Sequence, residues 1–307
     1  LSGTGIAIDD PDLPTGNLTA TLSLTSGAHT GRLDLVPGTT GITVISSSAQ
    51  SISISGTIDQ INAILLGSSG SSLKFTANSD TPATSSTLTL TVNENGQTGT
   101  GTALSTTATA TINITATNDA PTLSGTTFSG TWTEGDASPL QFMSGTISIG
   151  DPDTTQFNGG SLTVSFGTFV AGDVLSVVSG ANGITVSGST VSYNGNSIGT
   201  ISGGSANNLV ITFSSADATY AAVQALIPQI GYTSISENPT ASGVSNTRAV
   251  TLTLNDGGNF ATANTPLTAS QTGSFNVIGI NDAPTLSNLD ATSSNTHIQG
   301  GAGTIMD

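Results

Sequence analysis

The chain of 307 residues contains no cysteine, two histidines and three basic residues. Without thiols, neither a disulfide framework nor a thiolate zinc site can form. His29 and His297 fall in distant parts of the sequence, so a nucleophilic triad or an imidazole metal centre has no partners to assemble from. Arg32, Lys74 and Arg248 face 19 acids, for a net charge of −16. Nucleic acid and anionic membrane, which need clustered Lys and Arg, are therefore excluded as partners. No run approaches the ~18 apolar residues of a membrane helix, so direct membrane insertion is not expected. Lys74 is the one lysine, so the later part of the chain has none to offer to an isopeptide cross-link. Paired carboxylates can hydrolyse glycosides, but only Trp132 and a few tyrosines are available to line a sugar platform. A non-enzymatic protein is expected.

What the chain has in abundance is repetition. Asn-Asp-Ala-Pro-Thr-Leu-Ser stands at 118–124 and again at 281–287. Asp10-Pro11-Asp12 recurs as Asp151-Pro152-Asp153, Gly41-Ile42-Thr43-Val44 as Gly183-Ile184-Thr185-Val186, and Asn93-Glu94-Asn95-Gly96 as Asn255-Asp256-Gly257-Gly258. The landmarks keep their order, which is the signature of a tandem array. The sequence divides into a unit at 1–117 lacking its first strand, a complete unit at 118–280, and the linker and opening strands of a third at 281–307. The opening strand of the first unit is expected upstream of Leu1, and the third unit is expected to be cut short.

Strand signals dominate both copies. Leu18–Leu24, Ser51–Ser55, Leu88–Val92 and Val250–Leu254 alternate apolar residues with Ser or Thr at period two, the pattern of a half-buried strand. Turn residues separate such runs at the spacing of an all-β sandwich. The second unit carries an inserted hairpin near 190–199, with Asn194-Gly195 suited to a type I′ turn because both residues tolerate positive φ. Each unit has one short helix: Ile58, Ile61, Ile64 and Leu65 fall at helical spacing in the first, as do Tyr220, Val223, Leu226 and Ile227 in the second. Asp217 is the expected N-cap of the second helix. Arg248, just before the strand at Val250, is expected to be shielded from trypsin-like proteases.

The acids gather in loops. Asp10 and Asp12 share one with Asp9, Glu94 lies in another, and Asp119, Asp151, Asp153 and Asp256 occupy the loops of the second unit. Carboxylates brought together repel by about 1 kcal/mol or more per pair even in water-like dielectric. A hard cation removes that penalty, and Ca²⁺ takes 6–8 oxygen ligands of the kind this sequence offers. Either motif alone is equally well explained as turn chemistry, with Asp and Asn capping their own backbone; repetition in register favours calcium.

Asn255-Asp256-Gly257-Gly258, the strand through Phe275 and Val277, and Asn281-Asp282-Ala283-Pro284 resemble the end of a cadherin repeat and its linker. Glu134-Gly135 followed by Asp151-Pro152-Asp153 resembles the early glutamate and later Asp-x-Asp of the same repeat. Gly183-Ile184-Thr185-Val186 leading into Tyr193-Asn194-Gly195-Asn196 resembles the cadherin-like repeats of large secreted bacterial adhesins of the RTX type. The resemblance implies tandem Greek-key β-sandwiches of the cadherin or immunoglobulin kind, bound to Ca²⁺ and secreted to an extracellular or bacterial surface location. It also implies ligand roles. Asn118 and Asp119 become linker ligands, Asp151 and Asp153 an upper-loop pair, and Asp256 a further ligand. Asp10, Asp12 and Glu94 form the matching set of the first unit, while Glu134 faces Asn281 and Asp282 at the opposite pole. The linker is one residue shorter than the cadherin pattern and lacks its leading aspartate, which implies one or two ions per junction. Gln299 replaces the early glutamate in the third unit, so the next junction is expected to bind less well.

The expected function is a calcium-rigidified spacer in a large adhesin, with neighbouring repeats of the same chain as its partners. Two alternatives stand beside it. One is a subunit that assembles with other copies into a filament or surface layer; the other is a carbohydrate-binding module using the hairpin around Tyr193.

Overall fold

The computed structural model describes residues 6–11, 15–25, 31–96, 102–258 and 265–285. Asp12, both histidines and the third-unit segment around Gln299 lie outside them. The chain is all-β, with two short α-helices among the described residues.

The earlier part of the chain contains β1 (Leu18–Thr25), β2 (Gly31–Val36), β3 (Thr43–Ser47), β4 (Ser51–Gly56), α1 (Ile58–Leu66), β5 (Ser72–Ala77), β6 (Ser85–Asn93) and β7 (Ser105–Asn113). Five strands form an antiparallel sheet in the order β3-β4-β1-β6-β7, while β2 pairs with β5. Alternation explains which face is buried: Leu18, Ala20 and Leu22 of β1, Ile52 and Ile54 of β4, and Leu88, Leu90 and Val92 of β6 all point into one core. The registers Ala20↔Ile54 and Leu22↔Leu90 set apolar side chains opposite one another, the pairing that stabilises a sheet face. Leu33 of β2 and Ile61 and Ile64 of α1 close the other side. Each fully buried aliphatic side chain contributes about 1.5–3 kcal/mol. Helix α1 starts in a capping box between Thr57 and Gln60 and stops at Gly67, whose φ is 67°.

The later part contains β8 (Thr122–Ser124), β9 (Thr127–Phe128), β10 (Thr131–Thr133), β11 (Leu140–Gln141), β12 (Met143–Ser144), β13 (Ser148–Gly150), β14 (Ser161–Phe166), β15 (Asp173–Val177) and β16 (Ile184–Ser187). There follow β17 (Thr190–Tyr193), β18 (Asn196–Gly203), β19 (Leu209–Phe213), α2 (Tyr220–Leu226), β20 (Ile230–Ser234), β21 (Thr247–Asn255) and β22 (Thr268–Ile278). Its large sheet runs β10-β22-β21-β14-β19-β18-β17-β16, opposed by a smaller sheet, β11-β20-β15. The central order β22-β21-β14-β19-β18 retraces β7-β6-β1-β4-β3 strand for strand. Beyond that shared set lie β10, parallel to β22, and the added strands β16 and β17. The hairpin turn between β17 and β18 has φ of 49° at Asn194 and 87° at Gly195, as its sequence demands.

Aromatic rings fill the second core. Trp132 meets Tyr232 edge-on at 5.5 Å, and Phe142 stacks on Phe275 at 4.6 Å. The two cores share no residue.

Four expectations are corrected. The N-cap of α2 is Thr219, whose side chain accepts from the Ala222 amide; Asp217 lies two residues too early and instead bonds the Ser215 hydroxyl. Ile227 leaves the α-helix for a 3₁₀ turn, Ile227–Gln229, that contains Pro228. Trp132 is only 2% exposed, so it belongs to the core and cannot line a sugar platform. Arg248 lies within β21 rather than before it, and is 1% exposed.

Candidate metal centre

Three segments meet where the chain enters the second sandwich: the linker at 118–119, the loop at 151–153 after β13, and the residue that follows β21. Asp256 is almost fully buried. Its Oδ1 accepts from the Gly258 and Leu267 amides at 2.8 and 2.9 Å, and its Oδ2 accepts from Asn118 Nδ2 at 2.8 Å. Gly257 lets the chain turn there. Its φ is 79°, and a Cβ on it would lie 2.5 Å from the Gly160 amide nitrogen.

The Asp-Pro-Asp loop folds on itself, with the Asp153 amide donating to Asp151 Oδ1 at 2.9 Å. Asp153 Oδ2 accepts from the Asp119 amide at 2.5 Å. The Tyr220 hydroxyl of α2 donates to the Asp151 carbonyl at 2.7 Å and also contacts the Thr154 carbonyl, which ties the loop to the helix. These bonds leave Asp151 Oδ2 and Asp153 Oδ1 buried without a hydrogen-bond partner. Burial, with the Asp256 and Asp153 charges added to it, raises the Asp151 carboxyl above its ordinary range, although the Asp153 amide pulls the other way. Asp119 is raised by desolvation and then by the charges of Asp153 and Asp80.

Buried carboxylate oxygens without a partner are costly, and an all-oxygen set suits a hard cation. Hydrogen bonds thus link Asn118 to Asp256 and the Asp119 amide to Asp153 beside Asp151, and the oxygens of this set are of the kind Ca²⁺ takes, although no three of its carboxylates bring an oxygen each within 4.8 Å of one another. In the first sandwich Asp10 and Glu94 line one cleft with Asp9 and Leu104, and Glu94 Oε1 accepts from the Leu104 amide at 3.0 Å.

A second cluster occupies the end where the chain leaves the second sandwich. Glu134, just past β10, offers Oε2 to the Ile280 amide at 2.7 Å, while its Oε1 is buried without a partner. One carboxylate oxygen each from Glu134, Glu237 and Asp282 lie within 4.8 Å of one another. Asn281 lines the same cleft. Sequence reasoning missed Glu237, although a signal existed. It follows β20 by three residues and precedes Pro239 by two, as Asp80 follows β5 and precedes Pro82.

No family model and no curated protein matches the chain. Among solved structures, it is similar to mouse cadherin-23 EC22-24, at 14% identity and a TM-score of 0.26 over 82% of this chain and 55% of that one. It is also similar to Drosophila N-cadherin EC1-4, at 11% identity and 0.29 over 81% and 40%, and to human protocadherin-24 EC1-2, at 12% and 0.25 over 83% of each. The chain spans about half the length of the first two cadherin chains. At such identities and scores, no ligand or partner passes from those proteins to this one.

Proposed function

We propose that the chain is a non-enzymatic spacer segment of a large extracellular adhesive protein of bacterial type, made of tandem sandwiches and stiffened at its junctions by calcium. The observation that carries this reading is the pair of buried, partnerless oxygens of Asp151 and Asp153 beside buried Asp256. In the proposal, bound calcium supplies the counter-charge that three basic residues cannot. Asn118 and Asp119 contribute from the linker, Asp151 and Asp153 from the loop, and Asp256 from the end of β21, so one ion would join the linker to the second sandwich. Glu134, Glu237, Asn281 and Asp282 would act the same way at the exit, and Asp9, Asp10, Asp12 and Glu94 in the first sandwich.

Residues 114–121 separate β7 from β8, a length with little freedom once its polar groups are engaged. Calorimetry should show binding at millimolar to submillimolar calcium, as in other extracellular modules. X-ray scattering should show a narrower size distribution in calcium than in chelator. No heat and no change in scattering at millimolar calcium would reject the proposal.

Strand β3 supports a second reading, assembly with further copies. It lies at one edge of its sheet, with Val44 and Ile45 42% and 56% exposed. Edge strands are ordinarily blunted by Lys or Pro, and β3 has neither. Growth of the scattering mass with protein concentration would favour assembly over an isolated spacer.

A further inference from the structure

The buried cation of the second sandwich has no counterpart in the first, and its bonds lead to the exit cluster. The Arg248 guanidinium is fully occupied. Nε and Nη2 donate to the two oxygens of Asp173, each at 2.8 Å. Nη2 also donates to the Pro239 carbonyl at 2.6 Å, and Nη1 to the Ser245 carbonyl at 2.7 Å. Asp173 in turn accepts from the Tyr232 hydroxyl at 2.7 Å. The ion pair is anchored in β15, β20 and β21, while the two carbonyls belong to the segment 235–246 between β20 and β21. That segment carries Glu237.

Backbone bonds tether its two ends, the Ile235 amide donating to the Gly172 carbonyl at 2.9 Å and the Asn246 carbonyl accepting from the Val277 amide at 2.7 Å, and the stretch between them has little other anchorage. Of residues 235–246, only Pro239 is buried. Its turn is held in an unfavourable form, with positive φ at Ala241, Ser242 and Gly243 in succession, a conformation that costs free energy for residues with a Cβ and persists only where surroundings enforce it. The Asn238 side chain closes the turn by accepting from the Ser242 amide at 2.7 Å. Local bonds of that kind shape the turn without fixing where it sits on the sandwich. The Arg248 fork does fix it, gripping a carbonyl on either side of the strained residues.

We propose that Arg248, seated on Asp173, is a positioning residue for the exit cluster: it clamps the 235–246 segment so that Glu237 is presented to Glu134 and Asp282. This inference rests on the reading of that cluster as a cation site. It accounts for a buried ion pair in a core that apolar side chains would otherwise fill, since replacing such a pair by apolar residues is often neutral or stabilising. Here the guanidinium satisfies backbone carbonyls that no apolar side chain can.

The test uses the whole chain carrying Asp10→Asn, Glu94→Gln, Asp151→Asn and Asp153→Asn, so that calorimetric heat from the first sandwich and from the junction loop is removed and calcium binding at the exit is read separately. Glu237→Gln in this background calibrates loss of the site. The decisive variants are Asp173→Leu with Arg248→Met, which keeps the core filled, and Arg248→Lys, which keeps a charge for Asp173 but lacks the planar fork. Either variant, folded by circular dichroism, should bind calcium at the exit at least tenfold more weakly and show faster amide exchange across 236–246. In the chain without the background substitutions, binding at the junction loop should be unaltered. A folded variant that retains exit affinity within twofold would overturn the positioning role. Absence of calcium binding in the background chain, unchanged by Glu237→Gln, would instead overturn the cation site itself.

Discussion

The two sandwiches repeat one strand order around differently made cores. The first is packed by aliphatic side chains alone: Leu, Ile, Val and Ala from β1, β2, β4, β6 and α1. The second sets Trp132, Phe142, Phe157, Phe166, Phe213, Tyr232 and Phe275 among its aliphatics and encloses an ion pair as well. Cations divide the same way. Arg32 lies exposed on β2 beside Asp34, at 3.0 Å, whereas Arg248 is sealed from solvent. Strand order alone therefore does not dictate core chemistry. The short strands β8 to β13 supply only part of the difference, with Trp132 and Phe142 on or between them; Phe166, Phe213 and Phe275 stand on β14, β19 and β22, the counterparts of β1, β4 and β7.

The largest effect should come from breaking the ion pair on one side. Asp173→Ala leaves Arg248 buried without its counter-charge and should cost about 3–5 kcal/mol. Differential calorimetry should show this loss in the unfolding of the second sandwich, with that of the first unmoved; equal destabilisation of both would mean that the cores are not independent.

A smaller effect separates the acid loops from the cores. The Asp151 carboxyl is raised above its ordinary 3.8 by burial first and by neighbouring charge second. A raised carboxyl contributes stability that is fully present below the unfolded value and lost as pH climbs through the folded value. In chelator, the second sandwich should therefore melt at higher temperature when pH is lowered from neutral toward the carboxyl's ordinary 3.8. Millimolar calcium at pH 7 should recover that stability, and its benefit should shrink on acidification as protons compete for the same oxygens. A melting temperature independent of pH in chelator would argue that the loop is relaxed without an ion.

The smallest expected effect concerns helix entry, where the two sandwiches agree. Thr219→Ala removes the cap of α2 and should cost about 0.5–2 kcal/mol, whereas Asp217→Ala should stay within about 0.5. Chemical denaturation of the two variants resolves the order, and a reversed order would return the cap to Asp217.

Much of this architecture is legible in the residues. Period-two runs such as Leu88–Val92 mark strands because one sheet face is buried and the other is not. The Asn194-Gly195 turn follows from the φ those residues tolerate. The short strands β8 to β13 escape such reading, since two or three residues carry no periodicity. Shielding of Arg248 is expected from the strand beside it, but its burial against Asp173, distant in sequence, is not legible there. Asp151, Asp153 and Asp256 are recognisable through repetition, whereas Glu237 is hidden because its counterpart, Asp80, is a different residue type. Capping depends on the one residue with the right backbone geometry, and Asp217 misses it by two positions.

The sealed position of Arg248 bears on how the protein would be detected. Trypsin acting on the native chain has Arg32 and Lys74 on the first sandwich as its targets, while the cut after Arg248 requires the second sandwich to open. Even a fully denatured digest yields residues 75–248 as a single uncut piece. A mass-spectrometric survey built on tryptic peptides would therefore miss most of the second sandwich, and a protease that cuts at aromatic or acidic residues is the better reporter of it.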